Sequence, residues 1–191
     1  MPVTLDRSRT AVLIMDFQND IVQRFMQVDP ALLQRAAGVL AAARAAGIPV
    51  IHVTISFRPG YPEVPETGIF AGVRSSGMLV EGTEGADIHP AVAPQPGDVV
   101  VTKKRVGAFS GSDLQAVLSA KGRTHLVLLG VATSGVVLST VRAAADADYT
   151  MHVIAECCHD RDPEVHRVLT DKVFAQMAPS ITASDFLDAV K

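Results

Sequence analysis

The segment HLVLLGVATSGVVLST, residues 125–140, decides the fold of this chain. It begins with a short, continuously apolar run, His125–Leu129, which is typical of a strand buried on both faces of a sheet. Gly130 ends that run, and apolar residues then recur at helical intervals from Val136 to Tyr149. The segment therefore predicts a strand, a tight turn and a helix that begins near Ser134. Free N–H groups at such a helix start favour anions and can serve as an oxyanion hole.

The remaining sequence alternates in the same way between apolar strand candidates and helices. This alternation predicts a doubly wound, Rossmann-like α/β fold, a three-layer sandwich around a mostly parallel sheet of roughly six strands. The predicted strands are Thr10–Met15, Val50–Ile55, Val99–Thr102, His125–Leu129 and Thr150–Ile154, with a short edge strand at Ile181. The predicted helices are Asp29–Ala46, Ser112–Ala120, the one that follows Ser134, and one that opens at Asp162 and Pro163.

Composition narrows the class of protein. A chain of 191 residues, 48% of them hydrophobic, suffices for one domain with a sizeable core, predicted to span residues 1–191. The net charge of −3 and scattered basic residues give no footprint for nucleic acid or an anionic membrane, so a small molecule is the predicted partner. No apolar run approaches the ~20 residues that span a bilayer, and the start of the chain lacks a signal-peptide pattern, which predicts a cytoplasmic protein.

Two polar residues stand directly after predicted strands. Asp16 follows the first strand and Lys103 the third, and ligands of open α/β sheets bind beyond these strand ends. Taken singly, Asp16 fits a helix cap and Lys103 a solvated basic face. Together beside the turn after Gly130, a carboxylate and an ammonium can shift each other's pKa and transfer protons. The Gly- and Pro-rich stretch 56–98 is predicted to be a long excursion with short elements that lines this site.

Several motifs together resemble the isochorismatase-like hydrolase superfamily over nearly the whole chain. They are IMDFQND at 14–20, EGTEGADIHP at 81–90, KKRVGAF at 103–109, GSDL at 111–114 and the turn at 130–140. The resemblance implies that Asp16 is the catalytic aspartate and Lys103 the catalytic lysine. It also implies a cis peptide bond between Val131 and Ala132 that turns backbone amides toward the substrate. The residues predicted to bind the substrate are Phe17, Arg105, Phe109, Ala132, Thr133 and Gly135.

Val136 occupies the position of the nucleophilic cysteine in the amidase branch of this family. Valine has no nucleophilic atom, so acyl-enzyme chemistry by the usual route is not expected. True isochorismatases also lack the cysteine, usually with glycine there, and cleave a vinyl ether to release pyruvate. By this resemblance Asp16, with a pKa raised by apolar neighbours, is the general acid, and Lys103 orients it or holds a substrate carboxylate. Arg58, Arg74 and Arg105 are candidates for binding anionic groups.

Other interpretations of Val136 stay open at this point. The chain can be a catalytically silent family member that binds a small ligand or serves as an assembly partner, or an amidase with another nucleophile. Cys157 and Cys158, the only cysteines, are adjacent, follow another predicted strand and are predicted to be reduced thiols. The hydroxyl groups of Thr133 and Ser134 are predicted to cap the helix and to form hydrogen bonds with backbone groups.

No metal or cofactor is predicted. Metal-dependent relatives carry an Asp-x-His pair after the second strand, where this chain has Ser56–Gly60. A cluster of His159, Asp160, Asp162 and His166 is better explained by capping at Asp162 and by solvated histidines. The resemblance also implies a homo-oligomer, a dimer or larger.

Overall fold

The computed structural model describes residues 3–191; Met1 and Pro2, which begin the segment read for a signal peptide, lie outside them. Six strands form a sheet in the order β3-β2-β1-β4-β5-β6, and every pairing is parallel. This is the doubly wound strand order of Rossmann-like folds, so the predicted fold class is confirmed. The strands are β1 (Thr10–Met15), β2 (Val50–Ile55), β3 (Val99–Lys103), β4 (His125–Val131), β5 (Thr150–His159) and β6 (Ser180–Ile181).

Helices cover both faces of the sheet and divide the core into two apolar layers. Because side chains alternate along a strand, Val12 and Ile14 of β1 face one layer, and Leu13 and Met15 face the other. The first layer contains residues of α1 and α6, and the second contains residues of α3 and α4. The helices are α1 (Pro30–Ala45), α2 (Ala71–Ser76), α3 (Leu114–Ala120), α4 (Leu138–Asp146), α5 (Pro163–Val168) and α6 (Ala183–Ala189).

The predicted start and end signals of α1 are confirmed. The Asp29 side chain accepts a hydrogen bond of 2.8 Å from the N–H of Ala31, and Pro30 occupies the first helical position. Gly47 follows the helix with φ +69°, a left-handed conformation that glycine adopts without a steric penalty. In the described part of the chain, 3–191, no helix is long and apolar enough to cross a bilayer. The single-domain organisation stays a prediction.

Four parts of the chain differ from the sequence prediction. Strand β5 continues to His159 instead of ending at Ile154, because a register shift opposite β4 interrupts the apolar pattern before pairing resumes between Gly130 and Cys158. The helix after β4 opens with a π-helical turn, Thr133–Val137, before α4 begins. A second π-helical turn, Asp20–Phe25, and helix α6 were not predicted, because both are short segments with weak periodicity.

The excursion 56–98 contains only short elements, as predicted, and buried side chains from the β1 motif hold it over the sheet. Gln18 accepts from the N–H of Ile55 at 2.8 Å and donates to the carbonyls of Ile55 and Ala86 at 2.9 and 2.7 Å. Asp20 accepts from the N–H of Leu79 at 2.8 Å. The bonds to Ile55 tie the β1 motif to the end of β2, and those to Ala86 and Leu79 fix the excursion above the carboxyl ends of the central strands.

Candidate active site

A cavity of about 390 Å³ opens beyond the carboxyl ends of the central strands. Asp16 follows β1, Lys103 ends β3, and the turn after β4 closes the floor. The winding direction of the sheet reverses between β1 and β4, which is where open α/β sheets bind ligands. Apart from Asp16, Lys103 and the exposed Ser76, the wall consists of apolar side chains and glycines: Ile21, Phe25, Ile55, Ile69, Phe70, Gly72, Val73, Met78, Leu79, Val106, Val131, Ala132, Gly135 and Val136.

Asp16 and Lys103 form a buried ion pair on this wall. Lys103 Nζ donates to Asp16 Oδ2 at 3.0 Å and to the carbonyl of Arg105 at 3.1 Å. Lys103 is fully buried, and Asp16 is 6% exposed. The backbone of Asp16 is left-handed, with φ +63°, while its N–H donates to the carbonyl of Val53 at 2.8 Å. Non-glycine residues rarely adopt this conformation, and those that do cluster at functional sites.

Burial and the neighbouring ammonium act in opposite directions on the pKa of Asp16. Burial raises the pKa of the Asp16 carboxyl above its ordinary value, and the Lys103 ammonium opposes that rise only in part. The second carboxylate oxygen, Asp16 Oδ1, is buried and has no hydrogen-bond partner in the described chain. The carboxyl therefore has one oxygen committed to Lys103 and one available to a ligand or water.

The turn after β4 brings backbone close to this pair. The peptide bond between Val131 and Ala132 is cis, as the family resemblance implies. A Cβ at Gly130 would lie 2.6 Å from Val137 Cγ2 and 3.2 Å from Val136 Cγ1. Glycine is therefore required for β4 to pack directly against the π-helical turn, which carries Val136 at 2% exposure on the cavity wall.

One N–H group at the start of this turn already has a partner, so it is not free for an anion. The N–H of Ser134 donates to Asp160 Oδ2 at 2.7 Å, because the chain beyond β5 folds back against the turn. The Thr133 hydroxyl bonds His166 Nδ1 at 2.8 Å instead of capping or bonding backbone, and it is fully buried. Neither Thr133 nor Ser134 reaches the cavity wall.

The two cysteines are free thiols, as predicted, and both are buried in β5. Cys157 and Cys158 face opposite layers of the core. Burial raises the pKa of each thiol to about 12, so both are protonated at neutral pH. A protonated thiol away from the cavity does not serve as a nucleophile.

The other predicted binding residues lie in different surroundings. Ala132 and Gly135 are on the cavity wall. Phe17 is buried in the core at 2% exposure, and Phe109 packs on Tyr149 with ring centroids 5.9 Å apart. Arg105 reaches the cavity only through its contact with Phe70, whose ring centroid is 5.7 Å from the guanidinium carbon. Substrate binding by these residues stays a prediction.

The remaining arginine candidates do not line the cavity either. Arg58 pairs with Glu63 at 3.0 Å, and the mostly exposed Arg74 lies 3.5 Å from the carbonyl of Gly60. Sequence reasoning missed most of the apolar wall, which comes from the π-helical turn 20–25 and from the excursion around α2. Only their position over the strand ends identifies these residues, because neither segment has a periodic pattern.

The His and Asp residues at the end of β5 and in α5 with its cap serve the fold. Asp162 caps α5 by accepting from the N–H of Glu164 at 2.9 Å, as predicted. His159 Nε2 lies 3.2 Å from the carbonyl oxygen of Met26. Within residues 3–191, no three His, Cys, Asp or Glu side chains are grouped so that they could hold a metal ion.

Comparison with known proteins places this geometry in a family. The isochorismatase domain model matches residues 10–185. The chain is 31% identical to the ureidoacrylate amidohydrolase of Methylobacterium radiotolerans, over 87% of this chain and 73% of that protein. It is also 31% identical to the maleamate amidohydrolase of Pseudomonas putida, over 84% of this chain and 75% of that protein.

A solved structure agrees with the sequence matches. The isochorismatase family protein from Burkholderia thailandensis superposes with a TM-score of 0.86 at 29% identity, over 100% of this chain and 99% of that one. The family model spans every strand of the sheet together with Asp16, Lys103 and the turn after β4. The chain therefore belongs to the isochorismatase family of hydrolases.

Proposed function

We propose that this chain hydrolyses a small molecule without a covalent enzyme intermediate, with Asp16 as general acid and base and Lys103 as its charge partner. The observation that carries the proposal is the buried ion pair of 3.0 Å on the wall of an apolar cavity. Titratable groups with perturbed pKa values in a cleft are typical of active sites. A raised pKa suits Asp16 to this role, because the carboxyl then keeps a proton at higher pH than an exposed one.

Vinyl-ether hydrolysis is the reaction that this pair supports best. A protonated Asp16 transfers its proton to the terminal carbon of the enol ether, which leaves an oxocarbenium ion. Water adds to that ion, and the proton it releases returns to the carboxylate. The hemiketal then breaks its C–O bond to give a ketone and an alcohol. Lys103 balances the negative charge that Asp16 acquires when it gives up the proton.

The absence of a nucleophile at Val136 supports this route. Its isopropyl group contributes apolar surface to the cavity floor, and the resemblance aligns this position with the cysteine of the amidase branch. Direct attack by water on the substrate requires space for the water and a base to accept its proton, and it forms no acyl-enzyme intermediate. The amidohydrolase relatives are named for amide hydrolysis, so assays of amide hydrolysis serve as the comparison.

The first experiment measures pyruvate release from isochorismate by the purified chain and by its Asp16→Ala and Asp16→Asn variants. Asp16→Asn is the matched control, because it keeps the size of the side chain and removes the transferable proton. Release by the parent alone supports vinyl-ether hydrolysis that depends on Asp16. Equal background from all three proteins rejects isochorismate as the substrate.

Val136→Cys is the companion test of the thiol route. With maleamate and ureidoacrylate as substrates, we expect amidase activity only in this variant, since the ion pair beside the new thiol is intact. Amidase activity of the parent itself would contradict the role assigned to Val136.

Val136 also favours a second candidate, a family member that binds a small ligand and does not turn it over. Ligand binding that persists in Asp16→Ala, with no turnover by the parent on vinyl ethers or amides, would support it. Turnover that this substitution abolishes would exclude it. Homo-oligomeric assembly and a cytoplasmic location remain predictions from the sequence.

A further inference from the structure

A second cavity of about 450 Å³ opens between the π-helical turn 20–25 and the end of β5. We call it the arginine pocket, and its wall consists of Arg24, Phe25, Met26, Gln27, His159 and Arg161. None of these side chains is acidic, whereas two of them carry a guanidinium group. Phe25 also belongs to the wall of the first cavity, which holds Asp16 and Lys103, so the two cavities meet at this residue. A ligand in the first cavity can therefore extend past Phe25 into the arginine pocket.

Arg161 has unused hydrogen-bond donors in the arginine pocket. Its guanidinium carbon lies 5.4 Å from the centroid of the Phe25 ring, a contact that holds the side chain without neutralising its charge. Against the residues that the structure describes, the Arg161 side chain forms neither a hydrogen bond nor an ion pair, so all its N–H donors are available. Arg105 lies over Phe70 in a similar way, but its guanidinium already donates to the carbonyl of Lys104 at 2.6 Å. Arg161 is therefore the better placed of the two to bind an anion.

The charges around the arginine pocket favour an anion. Arg24 Nη1 donates to Asp20 Oδ1 at 2.8 Å, so one carboxylate offsets the charge of this arginine. The acids beside Arg161 in sequence have other partners, because Asp160 accepts from the turn after β4 and Asp162 caps α5. The charge of Arg161 is therefore not offset by an ion pair within residues 3–191, and a positively charged cleft attracts anionic ligands.

From these contacts we propose that the arginine pocket binds the carboxylate of an organic acid whose apolar part lies in the first cavity, with Arg161 as the main donor. A guanidinium can donate two parallel N–H bonds to one carboxylate, and an arginine held against an aromatic ring loses little freedom when it does so. The proposal rests on the proposed function for the cavity in which the reacting group lies. It adds that the substrate is an anion, and it names the residue that selects it.

Binding of probes that cannot be hydrolysed tests this proposal separately from catalysis. The probes are phenylacetate, 3-phenylpropionate and 4-phenylbutyrate, each paired with the alcohol in which a hydroxymethyl group replaces the carboxylate. Ligand-observed NMR titration gives the dissociation constant of each probe. We expect at least one acid to bind about fivefold or more tightly than its alcohol, because its carboxylate pairs with the Arg161 guanidinium. Failure of every hydrolysis assay leaves this ratio unaffected, so the two proposals fail separately.

Two arginine substitutions locate the carboxylate. Arg161→Gln should reduce the preference for the acid at least about threefold, because glutamine keeps a polar side chain and removes the charge. Arg167→Gln is the matched control, since this exposed arginine of α5 pairs with Glu164 and does not line the pocket, and it should leave the ratio unchanged.

Acetate separates a ligand that spans both cavities from a free anion in the arginine pocket. It lacks the phenyl group that fills the first cavity, so it should bind at least about tenfold more weakly than the preferred acid. Three results would overturn the proposal: no acid binds more tightly than its alcohol, the preference persists in Arg161→Gln, or acetate binds as tightly as the longer acids.

Discussion

Replacement of Lys103 by methionine isolates the electrostatics of the site. Methionine has a length similar to lysine, so the packing of the fully buried side chain is largely kept while the ammonium is removed. The variant loses the bonds of 3.0 Å to Asp16 and 3.1 Å to the Arg105 carbonyl, and leaves two buried acceptors unpaired. Removal of one partner of a buried ion pair costs about 3–5 kcal/mol, so we expect Lys103→Met to lower the free energy of unfolding by roughly 3 kcal/mol at pH 7.

The loss should depend on pH with a defined sign. The pKa of Asp16 in the folded chain is raised above its ordinary value of 3.8, so the stability contributed by its proton is complete below that value and declines as pH rises. Without the opposing ammonium the pKa rises further. Lys103→Met should therefore be least destabilised near pH 4 and progressively more destabilised toward pH 7.

Urea unfolding at pH 4 and pH 7 measures the free energy of unfolding of four proteins. They are the parent, Lys103→Met, Asp16→Asn and the double variant. At pH 7 the double variant should be more stable than Lys103→Met alone, because asparagine carries no charge to bury. A Lys103→Met loss below about 1 kcal/mol, or one that is the same at pH 4 and pH 7, would refute the reasoning.

Three further outcomes follow from contacts around the site. Gly130→Ala should lower the free energy of unfolding by about 1–3 kcal/mol, because the new methyl group overpacks the contact with Val137. Gly38→Ala is the matched control at an exposed position of α1, where no atom lies within 4 Å of the new methyl group, and it should raise the free energy of unfolding by about 0.5–1 kcal/mol. Urea unfolding measures both changes. Cys157 and Cys158 should resist a thiol reagent at pH 8 in the folded chain, whereas both should react once it is unfolded in urea. Asp160→Ala, which removes the acceptor at the start of the turn after β4, should cost about 1 kcal/mol in the same unfolding assay; an unchanged stability would contradict its anchoring role.

Much of the scaffold could be predicted because its physical cause is local. The run Thr10–Met15 is apolar throughout since β1 is buried on both faces, and such a run identifies a central parallel strand. Asp29 and Pro30 mark the start of α1 by capping chemistry that acts within a few residues. The failure at β5 is equally instructive, because the part of the strand beyond the register shift is defined by its pairing with β4 and not by an unbroken apolar run in β5 itself.

The amino-acid sequence by itself determined the order of the six strands and of the longer helices along the chain, the presence of Asp16 and Lys103 at strand ends, and the valine at position 136. These follow from hydrophobic periodicity and from residue identity. Only the tertiary structure decided that Lys103 Nζ lies 3.0 Å from Asp16 Oδ2, that Asp160 occupies the start of the turn after β4, and that the excursion supplies an apolar wall. The physical reason is that these contacts join segments 26 to 87 residues apart, and pairing at such separation is fixed by packing of the whole sheet.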